Sequence, residues 1–369
     1  MALIRATRRK GAASWPSRPP AVRRAPVSFD AVAYGLAPRE ALDPHRAGPP
    51  SPGHVHEEAQ ALASAAWDGD WESAAAYVSA AGSDWDEHWS RFELLRAIAQ
   101  RGDSWLTAWR DADPGNCDAA ALEADLMVHR AWAIRGRGYA KEVPPEKMAQ
   151  FRALLPAAIE AAKRASLLDS RNPAPWVVMV TAARGAQYQP DRFRPLWEGL
   201  VDRAPHHYEG HWQGMQYWCA KWFGSNPQML AFAEQALDGA PVGSPLAGVY
   251  LHALAELEGR RAPLPCNAAA KGRLTAVADA LASVKADDDK LPVLRHLLAY
   301  HLGKAGMYEA ALEQFRLIGP WCGAQVWAEQ GDPIEAFHAA RAEAVRKSKA
   351  EPLSPELLTK QKPGAAHQL

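Results

Sequence analysis

Two histidines one helical turn apart, His207 and His211, come nearest in this chain to a pair that could share a metal ion, with His206 and Cys219 close by in sequence. Zinc chemistry would need a third ligand and, for hydrolysis, a general base, and the stretch has no H-E-x-x-H order. His129, His252, His296 and His301 stand singly on helical stretches and read as packing residues. Gly136-Arg-Gly138 has too few glycines and no preceding strand to cradle a phosphate, and no Walker loop, dinucleotide fingerprint or G-x-S-x-G elbow occurs. Cys117, Cys219, Cys266 and Cys322 show neither C-x-x-C nor C-x-x-H spacing and read as buried free thiols. Asp287-Asp-Asp-Lys290 reads as helix-end charge. No catalytic, cofactor or metal residue is therefore assigned. Two functional readings stand: a metal-dependent or other enzyme with a His/Trp-rich central pocket, and a non-catalytic scaffold holding a peptide or partner protein on a concave face. The second is favoured.

The stretch that must position these side chains runs from His206 to Leu237. Tyr208, Trp212, Met215, Cys219 and Trp222 recur at spacings of four, three, four and three, which predicts one buried face of a helix ended by Gly224. Ser225 and Gln228 form a capping box for the next helix, whose seam is Met229, Phe232, Ala233 and Ala236. On this register His207, His211, Trp218 and Lys221 share the flank beside the seam, half covered, and form the candidate partner-binding surface. Gly210 and Gly214 share a face too, which predicts the close approach of another backbone.

Across 369 residues hydrophobic side chains make up 48 %, with little of the Val/Ile/Thr alternation that a large sheet needs. The 42 basic and 42 acidic residues cancel, so no global field draws nucleic acid or a membrane surface. No apolar run approaches the roughly 20 residues of a bilayer span, and a cytoplasmic location follows as the default. Residues 1–53 read as a disordered basic arm followed by a Pro-rich linker, with residues 28–35 apolar enough to dock as a strap. The arm, with seven basic and no acidic side chains in residues 1–27, is the one segment suited to nucleic acid. Residues 54–347 read as a helical array and 348–369 as a flexible tail. The 15 tryptophans include Trp67/Trp71, Trp85/Trp89, Trp105/Trp109 and Trp218/Trp222, pairs four residues apart that read as wedges between helices.

Turns recur. Asn116, Asn172, His207 and Gly243 stand at equivalent places in four of them, giving steps of 56, 35 and 36 residues. In Leu297–Phe315, Ala299 is followed by Gly306, Tyr308, Ala311 and Phe315, a pattern that resembles a tetratricopeptide unit. Gly69-Asp-Trp71-Glu-Ser-Ala74 and Gly331-Asp-Pro333-Ile-Glu-Ala336 repeat its Gly-x-ring-x-x-Ala core, whereas Gly323 stands where that unit usually closes with proline. Lys221-Trp-Phe-Gly-Ser225 resembles the basic-Trp-Gly-Gly-Ser signature of bacterial proteins of unknown function built on similar helices, with Phe223 in place of a glycine. The resemblance implies an all-α fold, an α-solenoid of antiparallel helix pairs with degenerate repeats, and carries no activity.

Overall fold

The computed structural model describes residues 29–136 and 142–354, over which the protein is all-α, with no strand among the described residues. The arm at residues 1–27, part of the loop expected after Tyr139 and the tail beyond residue 354 lie outside them. No described helix is long and apolar enough to cross a membrane. The chain divides into two compact units, one of residues 51–233 and one that joins residues 29–50 to residues 234–354.

The first unit contains α1 (Gly53–Trp67), α2 (Trp71–Ser79), α3 (Trp85–Ala99), α4 (Ser104–Ala112), α5 (Cys117–Arg135), α6 (Pro145–Ser166), α7 (Ala174–Gly185), α8 (Pro190–Val201) and α9 (Tyr208–Tyr217). The division at residue 233 falls inside α10 (Asn226–Asp238). α5 packs along α6, α6 on α7, and α7 on α8 and α9. Trp105 and Trp109 put the wedge expectation into effect: both are fully buried, and Trp109 also stacks on Trp71, with ring centroids 6.3 Å apart. Trp67 and Trp71 fall on either side of the turn at 68–70, and Trp67 stays exposed.

Polar side chains begin these helices. Asn116 accepts the Ala119 N–H to cap α5, Asn172 accepts the Ala174 N–H just before α7, and His207 Nδ1 accepts the Gly210 N–H to cap α9. Asn116 and His207 thus do the same work at two of the four turns equated in sequence, whereas at the third Pro173 stands at the cap of α7 and Asn172 only braces the turn before it. At the fourth, Ser244 rather than Gly243 caps the short 3₁₀ helix Pro245–Gly248. Asp118 ties two of the turns together, meeting His88 Nε2 at 3.0 Å and accepting from Asn172 Nδ2 at 2.6 Å.

The second unit contains α11 (Val249–Gly259), α12 (Ala268–Ala282), α13 (Leu291–Lys304), α14 (Tyr308–Ile318), the short α15 (Gln325–Ala328) and α16 (Pro333–Ser348). α13 packs on α14, and α14 on α16. The Gly-x-ring-x-x-Ala pattern marks the same event each time: the glycine takes a left-handed φ (Gly69 98°, Gly306 72°, Gly331 123°) and the ring residue two later starts α2, α14 or α16. Asp288 Oδ1 accepts the N–H groups of Lys290 and Leu291, so the acidic turn opens α13 as helix-end charge.

Residues 29–35 pack against the second unit, and residues 37–50, expected as linker, do so too. Ala31, Leu36 and Leu42 are buried, and the backbone pairs with the loop after α14: the Asp43 N–H donates to Pro320 O, Cys322 N–H to Asp43 O and Gly323 N–H to Arg46 O. A Cβ at Gly323 would lie 2.4 Å from Arg46 N and 2.7 Å from Pro44 O. A proline there would also lack the N–H that holds Arg46. The departure from the tetratricopeptide pattern at this position is what admits the strap.

Candidate functional site

The four candidate residues of the central stretch do not share a helical flank. α9 stops at Tyr217, seven residues before Gly224, because the chain folds back on itself: the Phe223 N–H donates to Tyr217 O and the Trp222 N–H to Cys219 O. A Cβ at Gly224 would lie 2.0 Å from Trp218 O, so this loop closes only around a glycine. Trp218 and Lys221 sit in the loop, half-buried. Phe223, where the resembling signature carries glycine, stacks on Tyr217 at 5.2 Å.

His207 and His211 are buried, which corrects the half-covered surface expected of them. Capping folds the His207 ring back over the first turn of α9 and edge-on to Trp89 at 5.7 Å. One turn later His211 donates from Nδ1 to His207 O and packs edge-on to Trp197 at 5.0 Å. Burial pulls the His211 pKa down to about 4, so the ring is neutral at physiological pH. Trp222 is only half-buried, set against Trp132 and the Arg184 guanidinium. The close approaches at Gly210 and Gly214 are real but come from side chains rather than backbone: a Cβ would meet Leu200 at 2.6 Å and Phe232 at 2.7 Å.

The chemistry-bearing residues elsewhere are absorbed by packing. His301 is buried with both ring nitrogens unbonded, and burial with the nearby Lys304 and His252 charges takes its pKa to about 3. Burial raises the Cys117 thiol to about 12 and Cys322 to about 11, which leaves neither a ready nucleophile. Cys266 is exposed, unlike the other three cysteines. Among the described residues no group of three or more His, Cys, Asp or Glu could hold a metal ion.

The arrangement with a recognisable binding chemistry lies in the second unit, where α13, α14, α16 and the loop after α14 cradle residues 29–50. Arg316 Nε donates to Tyr34 O at 2.9 Å, Arg341 Nη1 to Ala37 O at 2.8 Å, and His296 Nε2 to Ala47 O at 2.9 Å. Trp327 Nε1 donates to His296 Nδ1 at 2.8 Å, which fixes the Nε2–H tautomer that the Ala47 contact requires. Arg341 is fully buried, bonded to His338 Nδ1 at 2.9 Å and stacked over Phe337. Burial pulls its pKa to about 10, so it keeps its charge and remains a strong donor. Arg39 pairs with Glu335, and Phe29 lies against His338 with ring centroids 5.0 Å apart. Sequence reasoning placed a docked strap at residues 28–35 but not its partners. Arg316, Arg341 and His296 serve backbone carbonyls, which leave no mark in the strap's own side chains.

A second concavity, an open cleft of about 490 Å³, is walled by Leu167, Trp176 and Leu196 of the first unit, with Leu167 84 % exposed. Comparison with known protein families and with curated proteins finds no match to this chain.

Proposed function

We propose that this chain is a non-catalytic scaffold: an α-solenoid of antiparallel, tetratricopeptide-like helix pairs with degenerate repeats, akin to the bacterial proteins that carry the basic-Trp-Gly-Gly-Ser signature, which works in the cytoplasm by holding a peptide or partner protein. The caps at Asn116 and His207, the similar turn at Asn172 and the three Gly-x-ring-x-x-Ala turns support the repeat reading. The observation that carries the binding reading is the cradle of the second unit, which lodges irregular chain by donating hydrogen bonds to its carbonyls. Helical repeats that bind peptides need donors of this kind, because an extended ligand offers its backbone first.

The test is photo-crosslinking in the native host, with a photoreactive residue in place of Val293 on α13 or Leu317 on α14, both exposed apolar positions. A discrete protein adduct from these positions, lost on mixing with excess unlabelled chain, is the expected result. Adducts only to small metabolites, or none from either position, would count against the scaffold reading.

A further inference from the structure

The hydrogen bonds that hold residues 29–50 run almost entirely one way. The body of the second unit donates to six carbonyls: Arg316 to Tyr34, Arg341 to Ala37, His296 to Ala47, and the backbone N–H groups of Cys322, Gly323 and Leu353 to Asp43, Arg46 and Ala33. In the opposite direction, among the described residues, the strap backbone donates from Asp43 N–H to Pro320 O. Several of the strap's other N–H groups turn inward. Those of Tyr34, Gly35, Leu36, Ala41 and Leu42 bond to strap carbonyls, and those of Ala33 and His45 to the Asp30 and Asp43 side chains. A peptide read through its carbonyls has little need of free N–H groups, which suits proline, and Pro38, Pro44, Pro49 and Pro50 all fall in this segment. Side-chain anchoring reduces to a few positions, chiefly Leu36 and Leu42, six residues apart.

We propose that this cradle is a peptide-acceptor site whose resident ligand is residues 29–50, and that it takes in exchange a proline-bearing segment of another protein that folds into similar short 3₁₀ turns and carries two leucines six residues apart. The proposal rests on the scaffold reading and names its partner class. Specificity comes from two buried leucine positions set at a fixed spacing, and affinity from six donors that accept any backbone in the right path. The strap holds the site by high effective concentration, so an incoming peptide competes well only when the strap's tether is cut or its grip weakened.

The full chain with a protease recognition sequence inserted between Pro50 and Ser51 tests this, using a fluorescent synthetic peptide of residues 29–50 as probe and anisotropy as readout. The intact chain should ignore the peptide and the cleaved chain should take it up. A peptide carrying Leu36→Asp and Leu42→Asp should bind at least tenfold more weakly, while one that keeps both leucines and all prolines but has the remaining side chains shuffled should compete within about threefold. Binding of the double-Asp peptide as tight as that of the parent would overturn the proposal. So would unfolding of the chain on cleavage, which would make the strap part of the core, or failure of the probe to enter at any concentration. Formation of strap-exchanged dimers by the intact chain, seen by light scattering, would give the site to a second copy and overturn it as well. A host partner crosslinked elsewhere while the peptide fails to exchange would sink this inference and leave the scaffold reading standing.

Discussion

Gly323 is a position where a single methyl group should be costly for its size. Its alanine Cβ would sit 2.4 Å from Arg46 N, 2.7 Å from Pro44 O and 2.8 Å from Arg46 O. All three are backbone atoms, so no rotamer change relieves the crowding, and the two chains must part by about 1 Å to reach ordinary contact. That movement breaks the 2.7 Å bond from Gly323 N–H to Arg46 O and weakens the 2.9 Å bond from Cys322 N–H to Asp43 O. With a net loss of about 1 kcal/mol for each bond and about 1–2 kcal/mol of crowding, Gly323→Ala should destabilise the chain by about 2–4 kcal/mol. Gly323→Pro, which also removes the donor, should cost more. Urea unfolding followed by tryptophan fluorescence gives the magnitude, and hydrogen exchange at the Asp43 and Cys322 amides gives the location. A Gly323→Ala chain as stable as the parent, with both amides equally protected, would refute the argument that residues 43–46 are seated against this glycine.

Three further outcomes follow from the same geometry. Gly272 lies mid-helix in α12 with open space around it, so Gly272→Ala should stabilise by roughly 0.5–1 kcal/mol in the same urea assay. Gly214→Ala, whose Cβ meets Phe232 at 2.7 Å and Trp197 at 3.0 Å, should instead cost about 1–3 kcal/mol. His211, His296 and His301 are held neutral with pKa values of about 4, 4 and 3 against an ordinary 6.5. Because the unfolded chain then binds more protons between pH 6.5 and about 4, stability should fall as pH drops through that window, by up to about 1.4 kcal/mol per pH unit for each histidine. Urea midpoints that stay flat from about pH 7.5 to pH 5 would contradict this.

Much of the helical register was legible because its punctuation is chemical. Gly69, Gly306 and Gly331 need a left-handed φ, and Asn116 and Asn172 hold side-chain oxygens where a helix start needs an acceptor. The central stretch misled for a definite reason. Cys219 and Trp222 continue the apolar spacing of α9 after the helix has ended, since a loop folded tightly back on Tyr217 buries the Cys219 thiol and half covers the Trp222 ring much as a further helical turn would. Periodicity records burial, and here burial outlasted the helix. His207 and His211 misled in the opposite sense. Polar residues on a predicted flank were expected to face outward, but a capping ring must lie over its own first turn, and a neutral imidazole packs well between Trp197 and Phe232. The seat of residues 37–50 was least legible, because their prolines argue against a long helix without saying whether the chain lies in water or in a groove.

The long reach of the strap sets a clock on biosynthesis. Ala37 leaves the ribosome 304 residues ahead of Arg341, its hydrogen-bond partner, and Tyr34 precedes Arg316 by 282. At about 5–20 residues per second the strap waits roughly 15–60 s while residues 51–233 emerge and fold before the helices that receive it exist. During that interval Leu36 and Leu42 are solvent-exposed apolar anchors on a nascent chain, and a chain released before α16 would keep them so. Seating of the strap therefore waits until translation has passed Arg341, so the contacts that complete the second unit are among the last to form.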